Sequence, residues 1–249
     1  MSDILITGGT GRLGKVLSRL LTRNGTEHTL ASRNKPADVD NWMFIDLLNK
    51  QGTEQAVEGK KIIFHLAHDL KTDSVVTRNL LDALKGKPDV HLIYISIVGI
   101  DAVPMAYYRE KLKSEQAIAG SGVAYSILRA TQFHEYAEYV ISSFLRFPVC
   151  FLPKKVLIQP VQIEVVAQEL LRISQGAPLN GIKNIAGAEV LSLGEMAKRW
   201  LQATKKKRII LPFPLRSGLG RALKKGGLTL GTLNPESITW EAWLKKKYS

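Results

Sequence analysis

Tyr107 and Lys111 stand four residues apart in the segment YYREKLKSEQ, residues 107–116. On a helix that spacing places both on one face. An unperturbed phenol, with a pKa of about 10, is a poor acid or base near neutral pH. A lysine ammonium one turn away favours the phenolate and lowers that pKa. Tyr108 competes for the inward position, but only Tyr107 has a lysine four residues on. Ser96, upstream on a different element, adds a hydroxyl that can orient an oxygen on which charge develops. Such a trio suits proton delivery to a carbonyl oxygen while its carbon receives a hydride. The bland alternative is a packed tyrosine beside a snorkelling lysine.

Hydride chemistry needs a donor, and the stretch ILITGGTGRLG, residues 4–14, offers a place to hold one. A compact apolar strand runs into glycines and then into a helix. Gly8 lets the chain turn sharply, Gly11 lets backbone approach a diphosphate, and Gly14 lets the helix pack close to the sheet. Thr10, Arg12 and Leu13 complete this loop, and the helix N-terminus offers free N–H groups and a positive dipole end. The spacing is G-x-x-G-x-x-G rather than the usual G-x-G-x-x-G, and a tight strand-to-helix turn is the structural alternative. At the end of the second strand, where a carboxylate would meet a ribose 2′-OH, the sequence reads Ala31-Ser32-Arg33-Asn34. Arg33 can pair with a 2′-phosphate and Ser32 can donate to it, so NADP(H) is expected over NAD(H). Asp46 and Leu47, closing the third strand, fall where an adenine amino group would lie, although Asp46 can equally cap the next helix. Lys111 gains a second role here, as a donor to the nicotinamide ribose.

The elements that must position these residues alternate. Strands are predicted at 4–7, 28–32, 42–46, 61–67, 91–97 and 123–130, and helices at 13–21, 73–85 and 105–119, from apolar runs and helical periodicity. Continuous apolar strands imply burial on both faces, as in a parallel sheet covered by helices. The expected class is therefore α/β, a Rossmann-like doubly wound parallel sheet. Residues 133–147, 162–174, 191–204 with Ser192 as N-cap, and 235–247 read as later helices. A single unit spanning 1–249 is expected, with a core at 1–150 and a smaller C-terminal substrate-side part at 151–249.

The chain carries a formal charge of +13 and a single cysteine, Cys150. One thiol cannot close an internal disulfide, and its apolar neighbours predict a buried, inert group. The start of the chain carries no basic n-region or cleavage site, and no apolar run reaches the length of a membrane span, so a cytoplasmic location is expected. Basic residues cluster at 205–208, 224–225 and 245–247. No helix-turn-helix pattern or aromatic–basic RNA motif accompanies them, so no specific nucleic-acid partner is expected. The five histidines form no metal-ligand spacing, and no metal is expected.

On TGGTGRLG (7–14), ASRN (31–34), FHLAH (64–68), ISIVGID (95–101), YYREKLKSEQ (107–116) and ILRATQFHE (127–135), the chain resembles the short-chain dehydrogenase/reductase superfamily, in its atypical NmrA-like branch. QPVQIEVVAQEL (159–170) and NIAGAEVLSLGEMA (184–197) extend the resemblance over nearly the whole chain. It implies that Leu66, Ala67 and His68 line the nicotinamide side, and that Ser96 and the Tyr107–Lys111 pair stand at the superfamily's catalytic positions. It also implies that the loop after the sixth strand, with Thr131, lies close to nicotinamide and substrate. Phe133 and His134 are candidate substrate residues beside it, while His65, inside a strand, is expected to pack. The aromatic residues Phe133, Tyr136, Tyr139 and Phe144 suit an apolar ligand or a helix packed on the core.

Three functions follow as expectations. The first is NADP(H)-dependent hydride transfer to a small carbonyl or quinone-like acceptor. The second is a noncatalytic NADP(H)-binding redox sensor acting through a regulatory protein partner. The third is a surface protein that uses its basic C-terminal part on nucleic acid or an anionic membrane. An epimerase using bound NAD is disfavoured by Arg33. Substrate identity and oligomeric state are not legible in the residues.

Overall fold

The computed structural model describes residues 2–37 and 39–249. A seven-stranded sheet has the order β3-β2-β1-β4-β5-β6-β9, from β1 (Ile4–Thr7), β2 (Thr29–Ser32), β3 (Trp42–Phe44), β4 (Ile62–His65), β5 (His91–Ile97), β6 (Ala124–Ala130) and β9 (Gly181–Ile185). Between β3 and β5 across this order, all neighbours are parallel. The order reverses at β1: β2 lies on one side and β4 on the other, which makes their carboxyl ends the topological switch point of the sheet, where doubly wound folds bind ligands. The doubly wound α/β class expected from the alternating pattern is the observed one.

Helices carry the chain between the parallel strands. Helix α1 (Arg12–Arg23) buries Leu13, Leu17 and Leu21, which recur at helical spacing. The short α2 (Thr53–Val57) stands between β3 and β4. Every residue of β1 and β2 is buried, as uninterrupted apolar strands require. Strand alternation sends Leu5, Ile63, Leu92 and Tyr94 to one face. There they pack with Val76, Leu80 and Leu81 of α3 (Asp73–Ala83) and Ile118 of α4 (Ala106–Ala119).

The chain groups into two compact units. The first comprises residues 1–96, 106–129 and 166–183; the second comprises 97–105, 130–165 and 184–249. Chain order and spatial grouping differ, because residues 166–183, with most of α6 (Ile163–Ser174), return to the first unit. The second unit holds α5 (His134–Phe144), β7 (Val149–Leu152), β8 (Leu157–Ile158), β10 (Leu191–Ser192), α7 (Leu193–Ala203), β11 (Ile209–Pro212), α8 (Gly218–Lys224) and α9 (Trp240–Tyr248). Strands β7 and β11 form a parallel pair, and β8 and β10 an antiparallel one. Ser192 caps α7 as its position predicts: its hydroxyl accepts from the Glu195 N–H, and the Glu195 carboxylate accepts from the Ser192 N–H. Cys150 is buried and its Sγ donates to the Phe147 carbonyl, a packed thiol. Tyr136, Tyr139 and Phe144 are exposed on α5, so they neither join the core nor form an enclosed apolar lining.

Candidate dinucleotide site

Four strands deliver the predicted residues to one sheet edge. Thr7 ends β1 in register with Ala31 of β2 and His65 of β4, and His65 is in register with Tyr94 of β5. The segments that follow are the glycine loop, Ser32–Arg33, Leu66–His68 and Ser96. Their common origin is the parallel register, which aligns carboxyl ends.

The glycine loop is built on close approaches. Gly8 has φ of +68°, the left-handed region, and a Cβ there would lie 2.6 Å from the Ala67 nitrogen. A Cβ on Gly14 would lie 2.5 Å from the Gly8 carbonyl oxygen, so the helix can start this close to the strand only without one. At Gly11 a Cβ would meet only the Gly8 oxygen, at 3.1 Å, and would otherwise fill the space before the helix. Gly11 is the N-cap of α1, no side chain caps the helix, and no acidic residue occupies its first turn. Amide donors and a dipole end are therefore left for an external anion. Thr10 is half-buried, Arg12 is exposed and Leu13 is buried in the core. This geometry fits the diphosphate of a dinucleotide.

Arg33 is exposed at the end of β2, where its charge helps hold Asp46 in the carboxylate form. The larger cause of the low Asp46 pKa is the hydrogen bond from the Asn49 side chain. The Leu48 and Asn49 amides also donate to Asp46, so this carboxylate caps the turn that follows β3. Leu47 is buried in the core beneath that turn. Ser32 donates to the Asn34 carbonyl at 2.8 Å and accepts from Trp42 Nε1 at 2.9 Å. Its hydroxyl hydrogen is thus engaged in shaping the loop.

The loop after β4 is tied to β1. Thr7 Oγ1 contacts His65 Nδ1 at 2.8 Å, and Leu66 donates to the Thr7 carbonyl. His65 Nε2 reaches Thr77 on α3, so the ring bridges two elements inside the core. Burial pushes its pKa down to about 4, and it is neutral at pH 7. Leu66 is buried, Ala67 is half-buried and His68 is exposed, with its ring centroid 6.4 Å from that of Tyr107.

Tyr107 is half-buried and Tyr108 is buried, so Tyr108 packs while Tyr107 shares a helix face with Lys111. Lys111 Nζ lies 6.0 Å from the Tyr107 ring centroid. Lys111 itself is only 2% exposed. Its ammonium donates to Tyr94 Oη at 2.9 Å and to the Ile95 carbonyl at 3.2 Å, and it lies 3.4 Å from Asp73 Oδ1. Asp73 accepts from Tyr94 at 2.6 Å and from Ser114 at 2.7 Å. Burial lowers the Lys111 pKa, and Asp73 opposes the shift. Burial alone would raise the Asp73 pKa, but Lys111 and the two hydroxyl donors outweigh it and leave the carboxyl below its ordinary value.

Asp73, Tyr94 and Ser114 were not anticipated. A signal existed for each: an acidic residue opening a predicted helix, a hydroxyl inside an apolar strand, and a serine three residues after Lys111 on the same helix. Ser96 is 2% exposed and its hydroxyl has no hydrogen-bond partner among the described residues. Leaving a buried hydroxyl unsatisfied costs about 1–3 kcal/mol.

Thr131, Phe133 and His134 belong to the second unit. Thr131 is buried with its hydroxyl unpartnered among the described residues. Phe133 is half-buried and bridges to Val161. His134 is fully buried against the ring planes of Trp240 and Trp243, at centroid distances of 5.9 and 5.5 Å. Its pKa falls to about 4 because it is buried. No group of acidic, histidine or cysteine residues able to hold a metal occurs among the described residues.

A family model described as NAD(P)H-binding matches residues 8–141. A search of curated protein sequences finds no match. Among solved structures, an NADPH-dependent quinone oxidoreductase from Escherichia coli, complexed with NADPH, superposes with a TM-score of 0.82 at 19% identity, over 99% of this chain and 100% of that one. A nucleoside-diphosphate-sugar epimerase from Staphylococcus aureus gives 0.80 at 17% identity, over 98% and 100%. The UDP-glucose 4-epimerase of Thermus thermophilus, in complex with NAD, gives 0.74 at 18% identity, over 97% and 96%. At these identities the likeness is one of fold. It joins oxidoreductases and epimerases, so the reaction must be argued from residues.

Proposed function

The chain belongs to an NAD(P)H-binding family, and we propose that it is an NADP(H)-dependent oxidoreductase of the short-chain dehydrogenase/reductase type, acting on a small carbonyl or quinone-like acceptor. The observation that carries the reading is Arg33. It stands exposed at the carboxyl end of β2, on the same sheet edge as the glycine loop, and Ala31-Ser32-Arg33-Asn34 holds no carboxylate. A guanidinium there suits a 2′-phosphate, and a carboxylate there would suit a free 2′-OH. The NADPH complex of the quinone oxidoreductase with this fold supports the same direction.

The nicotinamide supplies the hydride when bound. In this reading the amides of the Gly8–Gly14 loop bind the diphosphate and Arg33 binds the 2′-phosphate. Lys111, fixed by Asp73 and Tyr94, keeps a positive charge on the Tyr107 face of α4 and favours the phenolate. Tyr107 gives its proton to the acceptor oxygen, and Ser96 orients that oxygen. Replacing Arg33 with serine removes one charge-assisted contact, worth about 1.5–3 kcal/mol. NADPH affinity is expected to fall roughly ten- to a hundredfold, with NADH affinity unchanged, in a fluorescence titration of both cofactors. Equal losses for the two would remove Arg33 from cofactor selection.

Tyr107→Phe is expected to leave NADPH binding intact and to lower turnover with a quinone or carbonyl acceptor about 10²–10⁴-fold. Full turnover in that variant would remove the tyrosine from the chemistry. The engagement of Lys111 inside the protein favours a second reading, a noncatalytic NADP(H)-binding regulator. It predicts that no acceptor is reduced by the wild-type chain, while binding of a protein partner differs between the NADP⁺ and NADPH forms.

A further inference from the structure

We propose that the outer face of the β7–β11 pair is a docking surface for an anionic lipid membrane. The two strands run parallel, with Val149 opposite Ile209 and Phe151 opposite Leu211. Paired residues of a ladder share a face, and alternate residues take the other one. Cys150 and Leu152 on the inner face are buried, whereas Phe151 is 59% and Ile209 62% exposed, and Val149 and Leu211 are exposed with them. Phe147 just before β7 and Phe213 just after β11 extend the exposed apolar row at either end. Scattered exposed apolar residues are ordinary, but six large ones on one two-stranded ribbon are a contiguous patch of the kind that marks an interaction site.

The charge around the patch selects the occupant. Segments 144–155 and 205–225 together hold eleven lysines and arginines and no aspartate or glutamate. The parallel register puts Arg146 and the run 205–208 at one end of the ribbon, and Lys154, Lys155 and Arg216 towards the other. An apolar face bounded by cations matches the interface of an anionic bilayer, where side chains enter the headgroup–acyl boundary and lysines meet lipid phosphates. A second copy of the chain would bring like charges together around the same face. A nucleic acid would satisfy the cations but leave the aliphatic face against water. No helix among the described residues is long and apolar enough to cross a membrane, so the contact is peripheral.

The test is flotation of the full-length chain with vesicles of phosphatidylcholine alone and of phosphatidylcholine mixed with phosphatidylglycerol, without cofactor, at low and near-physiological salt. Binding to the anionic vesicles alone is expected. Phe151→Ser with Leu211→Ser should weaken it roughly tenfold or more, and Lys205→Gln with Lys207→Gln should weaken it and flatten its salt dependence. All four positions are exposed, and unchanged thermal unfolding verifies that the variants fold. Absence of vesicle binding overturns the proposal, as does equal binding to neutral vesicles. Duplex DNA or RNA binding that the Phe151 and Leu211 changes leave intact, with vesicle binding absent, assigns the surface to nucleic acid. Dimerisation abolished by those changes, with vesicle binding absent, assigns it to a second copy. None of these readouts involves NADP(H), so failure here leaves the proposed hydride chemistry untouched, and the reverse.

Discussion

Replacing Lys111 with methionine is expected to destabilise the fold by about 3–5 kcal/mol at pH 7, because it strands a buried carboxylate. The side chains of Lys111 and Asp73 are almost wholly excluded from solvent, and the ammonium is the cation nearest that carboxylate's Oδ1. Tyr94 and Ser114 remain as donors to Asp73 in the variant, but neutral hydroxyls cannot offset a buried charge. The sign of the pH dependence follows from the pKa directions. In the wild-type chain the Asp73 pKa is depressed, so its contribution is present above the unfolded carboxylate range and is lost only as pH falls through the folded value. Without Lys111, burial raises that pKa, and the carboxyl takes a proton before the protein reaches strong acid. The gap between wild type and Lys111→Met should therefore shrink from pH 7 towards about pH 4.5 in chemical denaturation. Adding Asp73→Asn should recover part of the loss, so that the double variant is less destabilised than the sum of the singles. A constant gap with pH, together with additivity, would remove the ion pair as the cause. One consequence reaches enzymology: lost activity in a Lys111 variant reports stability as well as chemistry. Tyr107→Phe, at a half-buried position, is the cleaner probe.

The sequence was most legible where one element answers to one local pattern. The periodicity of 13–21 marks α1, the run HLIYISI marks β5 with its bounds, and the Ser192–Glu195 spacing marks the α7 cap. The glycine loop was legible because its meaning is local: a strand, a turn and a helix N-terminus are contiguous in the chain. The network around Lys111 was not, because Asp73, Tyr94 and Ser114 lie on three different elements and only the packing of α3, α4 and β5 brings them together. Strands β7 and β11 were missed for a related reason. Each is four residues long, they pair across a long stretch of intervening chain, and prolines flank or end both. Short parallel strands with one exposed face give no alternating polar signal when the exposed residues are phenylalanine, valine and isoleucine. Ser32 shows a finer limit: its residue type allowed a phosphate donor, while the Trp42 indole and Asn34 carbonyl that engage it come from the neighbouring strand and the loop.

Acid should weaken this fold well before its carboxylates titrate, and His65 and His134 are the reason. Burial lowers both pKa values to about 4, against about 6.5 in an unfolded chain. Between those limits the unfolded chain binds more protons than the folded one, so stability falls as pH falls. Each histidine contributes up to about 3 kcal/mol to that loss across the window from about pH 6.5 to about pH 4. Asp73 and Glu138 have folded pKa values below the ordinary carboxylate range, so their contributions begin to be lost as pH falls through that range, at the acid end of the window, and they cancel when wild type is compared with a histidine variant. His134 allows the sharper test. Its ring nitrogens make no hydrogen bond of good geometry among the described residues, the nearby Val161 backbone opposes the effect of burial only in part, and the ring packs against Trp240 and Trp243. Phenylalanine can take that place without stranding a polar group. Denaturant unfolding of wild type and His134→Phe at about pH 7, 5.5 and 4.5 should show a shallower loss of stability in the variant, by the equivalent of one proton, or about 1.4 kcal/mol per pH unit at most. His65 is the contrasting case, because its ring joins Thr7 at the end of β1 to Thr77 on α3. Charging it makes both nitrogens donors, so the Thr7 and Thr77 hydroxyls must both accept and their own hydrogens must turn to other partners, at the strand end from which the glycine loop departs. Cofactor affinity should then decline over the same window in which the fold weakens. An unchanged slope in His134→Phe, with affinity constant from about pH 7 to about pH 4.5, would show that neither ring titrates as its burial demands.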